Sequence, residues 1–188
     1  MAIWQFDFFF MLSGFVIGYA YDDRWNRMST GTFFKRRLIR LQPMVIMGSI
    51  VGAALFWFQD APCYPAMEGV SAGAVLLVML LGCTLLPLPL KWDVRGWMEM
   101  HPLNGPAWSL YYEYIGNILY ALFIRKFSKT ALTVLVAIAA CFTVHRCLTA
   151  PAGDIVGGWA LNWEQQYVGL VRLMYPSLAD CSCPGLAG

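Results

Sequence analysis

The chain has 188 residues, 59% of them hydrophobic, 15% aromatic and only 13% charged, against about a quarter charged in a soluble domain. This composition excludes an ordinary water-soluble enzyme, and the lack of any run alternating apolar with polar residues excludes a β-barrel. The expectation is an all-α integral membrane bundle, a single domain over residues 1–188 with about four to five transmembrane or re-entrant helices. The formal charge of +2 matters less than its placement, because six of the 13 basic residues lie between Arg24 and Arg40.

The apolar segments in chain order are Phe8 to Tyr21, Met44 to Phe58, Val70 to Leu86, Trp108 to Ile124 and Ala131 to Val144. Several fall short of the roughly 20 residues that a full span needs, so tilted or re-entrant pieces are expected. In the first segment Asp7, Gly14 and Gly18 share a helical face, a carboxylate in line with a small-xxx-small seam that admits a close neighbour. Thr32 to Pro43 then reads as a short interfacial helix, capped near Thr30 or Thr32 and stopped by Pro43. Its basic residues are either an anchor for anionic lipid head groups or a phosphate clamp, since Arg grips such oxygens in pairs.

Orientation follows from charge: the segment Asp22 to Leu41 should face the cytoplasm, and Gln59 to Gly69, without Lys or Arg, should lie outside. Pro87 and Pro89 end the third apolar segment early, so a partial excursion is expected there, returning Arg125, Lys126 and Lys129 to the cytoplasmic side. Six cysteines read as structural thiols rather than bridges or metal ligands, and no metal site is expected. Nothing resembles a nucleic-acid-binding module.

The chemistry concentrates after His101-Pro102-Leu103-Asn104-Gly105-Pro106. Pro106 presets the entry to a helix, and Asn104 is a cap or a ligand-facing amide. Along that helix Ser109, Glu113, Asn117 and Tyr120 recur at steps of four, four and three, which puts them on one narrow face. A carboxylate near the middle of a spanning helix costs roughly 2.5–3.5 kcal/mol even on the lenient insertion scale, so it should face a bundle interior and mark a site. Interhelical hydrogen bonding alone would explain Ser109 and Asn117, but it explains Glu113 poorly.

Three ordered blocks carry a resemblance. Asp7-Phe8-Phe9-x-x-Leu12-Ser13-Gly14-Phe15, then Arg37-x-x-Arg40-x-x-Pro43, then Trp108-Ser109-Leu110-x-x-Glu113 followed by Tyr120 resemble the acyltransferase family 3 membrane proteins, with Arg172 and Tyr175-Pro176 similar to the start of a further segment. The resemblance implies transfer of an acyl group, most often acetyl from acetyl-CoA, to a hydroxyl of a cell-envelope or exported carbohydrate. The acyl-CoA would be a donor substrate, with no bound cofactor, and the protein would sit among the lipids of a bacterial inner membrane. Glu113 and Ser109 would be catalytic, while Arg37 and Arg40 would bind donor phosphates. Asn104, Trp108, Asn117, Tyr120 and Asp7 would complete the substrate-binding set. The family's histidine in the preceding helix would lie upstream of residue 1, and further helices would follow Pro176, so both ends are expected to be truncated. Neither His101 nor His145 takes that histidine's place.

Two other classes remain open on the residues alone: a transporter or flippase of a saccharide or lipid-linked substrate, with the Ser109–Tyr120 stripe and Asp7 lining its path, and a non-catalytic membrane scaffold.

Overall fold

The Thr30–Phe58 helix is the longest element, and it begins one residue after its cap. The Ser29 hydroxyl accepts the Thr32 amide at 3.2 Å, and the Ser29 carbonyl accepts Phe33 at 3.1 Å. In this computed structural model, which describes residues 8, 10–14, 16, 27–58, 69–150 and 155–182, Pro43 does not stop that helix. The two expected pieces are one. In apolar surroundings, ending the helix would strand several backbone groups instead of the single bond that proline forfeits, so continuation is the better outcome.

All regular structure among the described residues is helical. After Thr30–Phe58 come Ala72–Gly82, capped by the Ser71 hydroxyl on Ala74, and then Ala107–Leu122. Lys129–Thr149 follows, capped by Ser128 on Ala131, and Trp163–Ser182 closes the series. Two of them, Thr30–Phe58 and Lys129–Thr149, are long and apolar enough to cross a membrane, with mean hydropathies of 1.7 and 1.9. Only 11% of the apolar window in Lys129–Thr149 is buried, whereas a soluble protein's core helix would hide most of it. The 11 residues of Ala72–Gly82 reach only roughly 16 Å at 1.5 Å per residue, about half of a bilayer's hydrocarbon thickness.

The chain folds into two compact units. The first comprises Met1–Phe34, Tyr112–Gly157 and Tyr167–Gly188, and the second Lys35–Tyr111 and Gly158–Gln166.

In the second unit the Thr30–Phe58 helix buries Arg37, Leu41, Val45, Ser49, Ala53 and Phe56, a series advancing by four and then three. Ala53 and Phe56 join Val75, Val78, Leu88 and Leu103 in its apolar cluster. The connector at residues 100–104 lies directly on this helix: a side chain at Gly52 would run into the Leu103 carbonyl, and one at Gly48 would meet the Asn104 amide at 2.5 Å. Backbone approach requires glycine at Gly52, whereas at Gly48 the Asn104 side chain would have to give way. Gln42 donates to the Cys83 carbonyl, while Leu88 donates to Met100 at 2.9 Å and Met100 to Trp159 at 2.8 Å, fixing the connector's other side.

Candidate active site

The expected polar face of the Ala107–Leu122 helix is buried throughout: Ser109, Glu113, Asn117 and Tyr120 are each at most 5% exposed, while Ile118 and Leu122 on the opposite side stand open at above 40%. Inward polarity in an otherwise apolar helix is what a bundle-facing site requires.

Within the first unit, Ser13 donates its hydroxyl to Glu113 Oε1 at 2.8 Å. Asn117, fully buried, donates from Nδ2 to the Glu113 backbone carbonyl at 2.8 Å, and its own Oδ1 has no hydrogen-bond partner among the described residues. Glu113 and Ser13 line a cavity of about 200 Å³. Phe10, Gly116, Leu119, Phe123, Leu135 and Leu173 supply much of its apolar wall, and Tyr120 lines it too. Tyr120 packs its ring 6.2 Å from Phe33, which with Ala121 forms the local core. Gly14 also lines the cavity and is buried. Asp7 and Gly18 lie outside the described residues.

The helix that brackets this unit from the C-terminal side is Trp163–Ser182. Gly169 packs against the Tyr112 ring so closely that any side chain there would collide with it. Arg172, 4% exposed, donates from Nη1 to the Gly157 carbonyl at 3.2 Å. A buried guanidinium keeps its charge, so it needs such acceptors to offset the loss of water.

The remaining expected residues belong to the second unit. Ser109 donates its hydroxyl to the Pro106 carbonyl at 2.8 Å, so it serves the start of its own helix. Asn104 caps that helix through its backbone carbonyl, which accepts Ala107 at 2.9 Å, while its side-chain amide reaches Val45 O at 3.4 Å. Trp108 is buried at 5%. Arg37 and Arg40, one turn apart, are divided by burial: Arg37 is 1% exposed, whereas Arg40 stands open. His101, 3% exposed, has neither ring nitrogen hydrogen-bonded among the described residues and lies 6.4 Å from the Tyr111 ring. It sits in the connector outside the spanning helices, and burial pulls its pKa down from 6.5 to about 4. No group of three or more His, Cys, Asp or Glu that could hold a metal occurs among the described residues.

The acyltransferase family 3 model, described as an acyltransferase domain, matches residues 4–179. The chain belongs to this family. A curated relative, "Protein 2 in picA locus" of Rhizobium radiobacter, is 30% identical over 122 residues, covering 61% of this chain and 62% of the relative. The match therefore spans less than two thirds of that relative's length. No solved structure matches the chain.

Ser13 is the site residue that sequence reasoning left without a role. It lies inside the first resemblance block, but helical periodicity within one segment carries no information about a partner 100 residues away.

Proposed function

We propose that this family member transfers an acyl group from acyl-CoA to a hydroxyl of a cell-envelope or exported carbohydrate, in a bacterial inner membrane. The observation that carries the reading is the buried Glu113 carboxylate, held by Ser13 at 2.8 Å in the wall of an apolar cavity, within a chain matched by the family over nearly its whole length. In this mechanism Glu113 takes the proton of the acceptor hydroxyl as its oxygen attacks the thioester carbonyl. The C–S bond breaks, the ester C–O bond forms, and the proton passes to the leaving sulfur. General base assistance of this kind contributes about 10²- to 10⁴-fold. Asn117 supports the backbone beneath the carboxylate and keeps Oδ1 available to a hydroxyl donor.

Arg40 offers its exposed guanidinium fork to the donor's phosphates. Arg37 is withdrawn from solvent on the same helix. Ser109, occupied with Pro106, positions the start of the Glu113 helix rather than meeting substrate.

The test is acyl transfer to a carbohydrate acceptor by membranes containing the full chain and supplied with labelled acyl-CoA. Glu113→Gln should lower transfer by 10²-fold or more while the protein still inserts. Undiminished transfer in Glu113→Gln refutes the assignment, and saccharide uptake that needs no acyl-CoA would establish a transporter instead.

A further inference from the structure

We propose that the cavity beside Glu113 holds the acyl chain of the donor and is dimensioned for chains of about four to eight carbons rather than for acetyl. This rests on the acyltransferase reading above. The cavity measures about 200 Å³, and by the scale on which a 150 Å³ apolar cavity takes one benzene it has room for roughly eight carbons. An acetyl methyl would leave most of that space empty, and unfilled space forfeits dispersion contacts along the whole wall.

The wall itself selects the occupant. Phe10, Leu119, Phe123, Ile124, Leu135 and Leu173 offer no hydrogen-bonding side chain, and among the described residues polar side chains enter only as Ser13, Glu113 and Tyr120. Ser13 and Glu113 are already bonded to each other at 2.8 Å. A hydroxyl-rich sugar placed there would lose its hydrogen bonds to water without replacement, which is strongly unfavourable. An alkyl chain loses nothing. The arrangement therefore seats the alkyl tail against the Phe and Leu side chains and brings the thioester carbonyl to Glu113. There the acceptor hydroxyl attacks: the C–S bond breaks, the new C–O bond forms, and the hydroxyl proton leaves through Glu113 to the CoA sulfur.

Leu135 tests the cavity from the Lys129–Thr149 helix, since it lines the space and is only partly buried. The measurement is the affinity of acetyl-CoA and of hexanoyl-CoA for the full chain in lipid nanodiscs, by calorimetry. Hexanoyl-CoA has four more methylenes, each contributing about 0.8 kcal/mol when buried, so its preference should lie between roughly 10-fold and a ceiling of about 200-fold. Leu135→Phe, which fills the cavity, should cut that preference at least tenfold, and Leu135→Ala, which enlarges it, should move the optimum to longer chains. Because the two variants act in opposite directions, a general loss of folding cannot imitate the pattern.

Equal affinities for the two donors, as expected if a lipid tail or another helix occupies the space, overturn the acyl-chain assignment and leave the acyltransferase reading standing. A hexanoyl preference that neither Leu135 variant changes places the chain elsewhere and overturns the assignment equally. Binding of neither donor overturns the acyl-CoA reading and this proposal together.

Discussion

Removing the Ser13 hydroxyl isolates the contact on which the site's geometry rests. Ser13→Ala deletes the donor to Glu113 Oε1, a 2.8 Å bond to a carboxylate that is 5% exposed. Hydrogen bonds to charged groups contribute about 1.5–3 kcal/mol, which corresponds to roughly 10- to 150-fold in kcat/KM if the bond holds the carboxylate in its reacting position. The assay is acyl transfer in membranes, normalised to inserted protein, for Ser13→Ala, Glu113→Gln and the double variant. Since Ser13 acts through Glu113, its loss should matter little once Glu113 is already Gln, so the two effects should fall far short of adding. Ser13→Thr, which keeps a hydroxyl, should recover most of the activity. A parent-like Ser13→Ala, or strict additivity in the double variant, would refute the coupling.

Three further outcomes concern the second unit. Gly52→Val should destabilise the protein by about 1–3 kcal/mol, because the new side chain meets the Leu103 backbone carbonyl, which cannot rotate away. Gly73→Ala, where a Cβ would find only the Ser71 hydroxyl at 4.0 Å, should be neutral or stabilising by up to about 1 kcal/mol, and thermal unfolding in one detergent compares them. His101 is neutral in the fold, with its pKa pulled down to about 4. Stability should be complete above the unfolded value of 6.5 and fall as pH drops from there toward 4, by up to about 3 kcal/mol, since the unfolded chain takes the proton first. His101→Phe should flatten that part of the profile in denaturation measured from pH 7 to pH 4, and parallel profiles would disprove it.

The helical class and the inward polar face of the Glu113 helix were legible because both are local, periodic properties. Ser109, Glu113, Asn117 and Tyr120 are all buried, as their spacing requires. The Thr30–Phe58 helix was misread at Pro43 because the rule that proline ends helices assumes water ready to take the freed carbonyl. The Trp163–Ser182 helix was overlooked, although Asn162-Trp163-Glu164-Gln165 has the spacing of a capping box. Asn162 Oδ1 accepts the Gln165 amide at 2.8 Å. The Ser109 hydroxyl bond was not anticipated either: a serine one turn into a helix has a backbone carbonyl within reach, and here Pro106 accepts it. Neither the Ser13–Glu113 bond nor the glycine contacts with residues 103 and 104 could be read from periodicity, because each depends on which distant segment arrives.

The buried series along the Thr30–Phe58 helix has a geometrical consequence of its own. Each step of four residues overshoots a full turn by roughly 40°, so the inward seam from Arg37 to Ala53 winds about 160° around the cylinder. The outward residues Ile39, Pro43, Met47, Val51 and Leu55 wind with it, leaving an exposed spiralling ribbon instead of a flat side. A straight neighbouring rod can follow such a seam for only a few turns. Close fit along the rest falls to the irregular connector, whose Leu103 backbone lies on Gly52 and whose Asn104 side chain lies on Gly48.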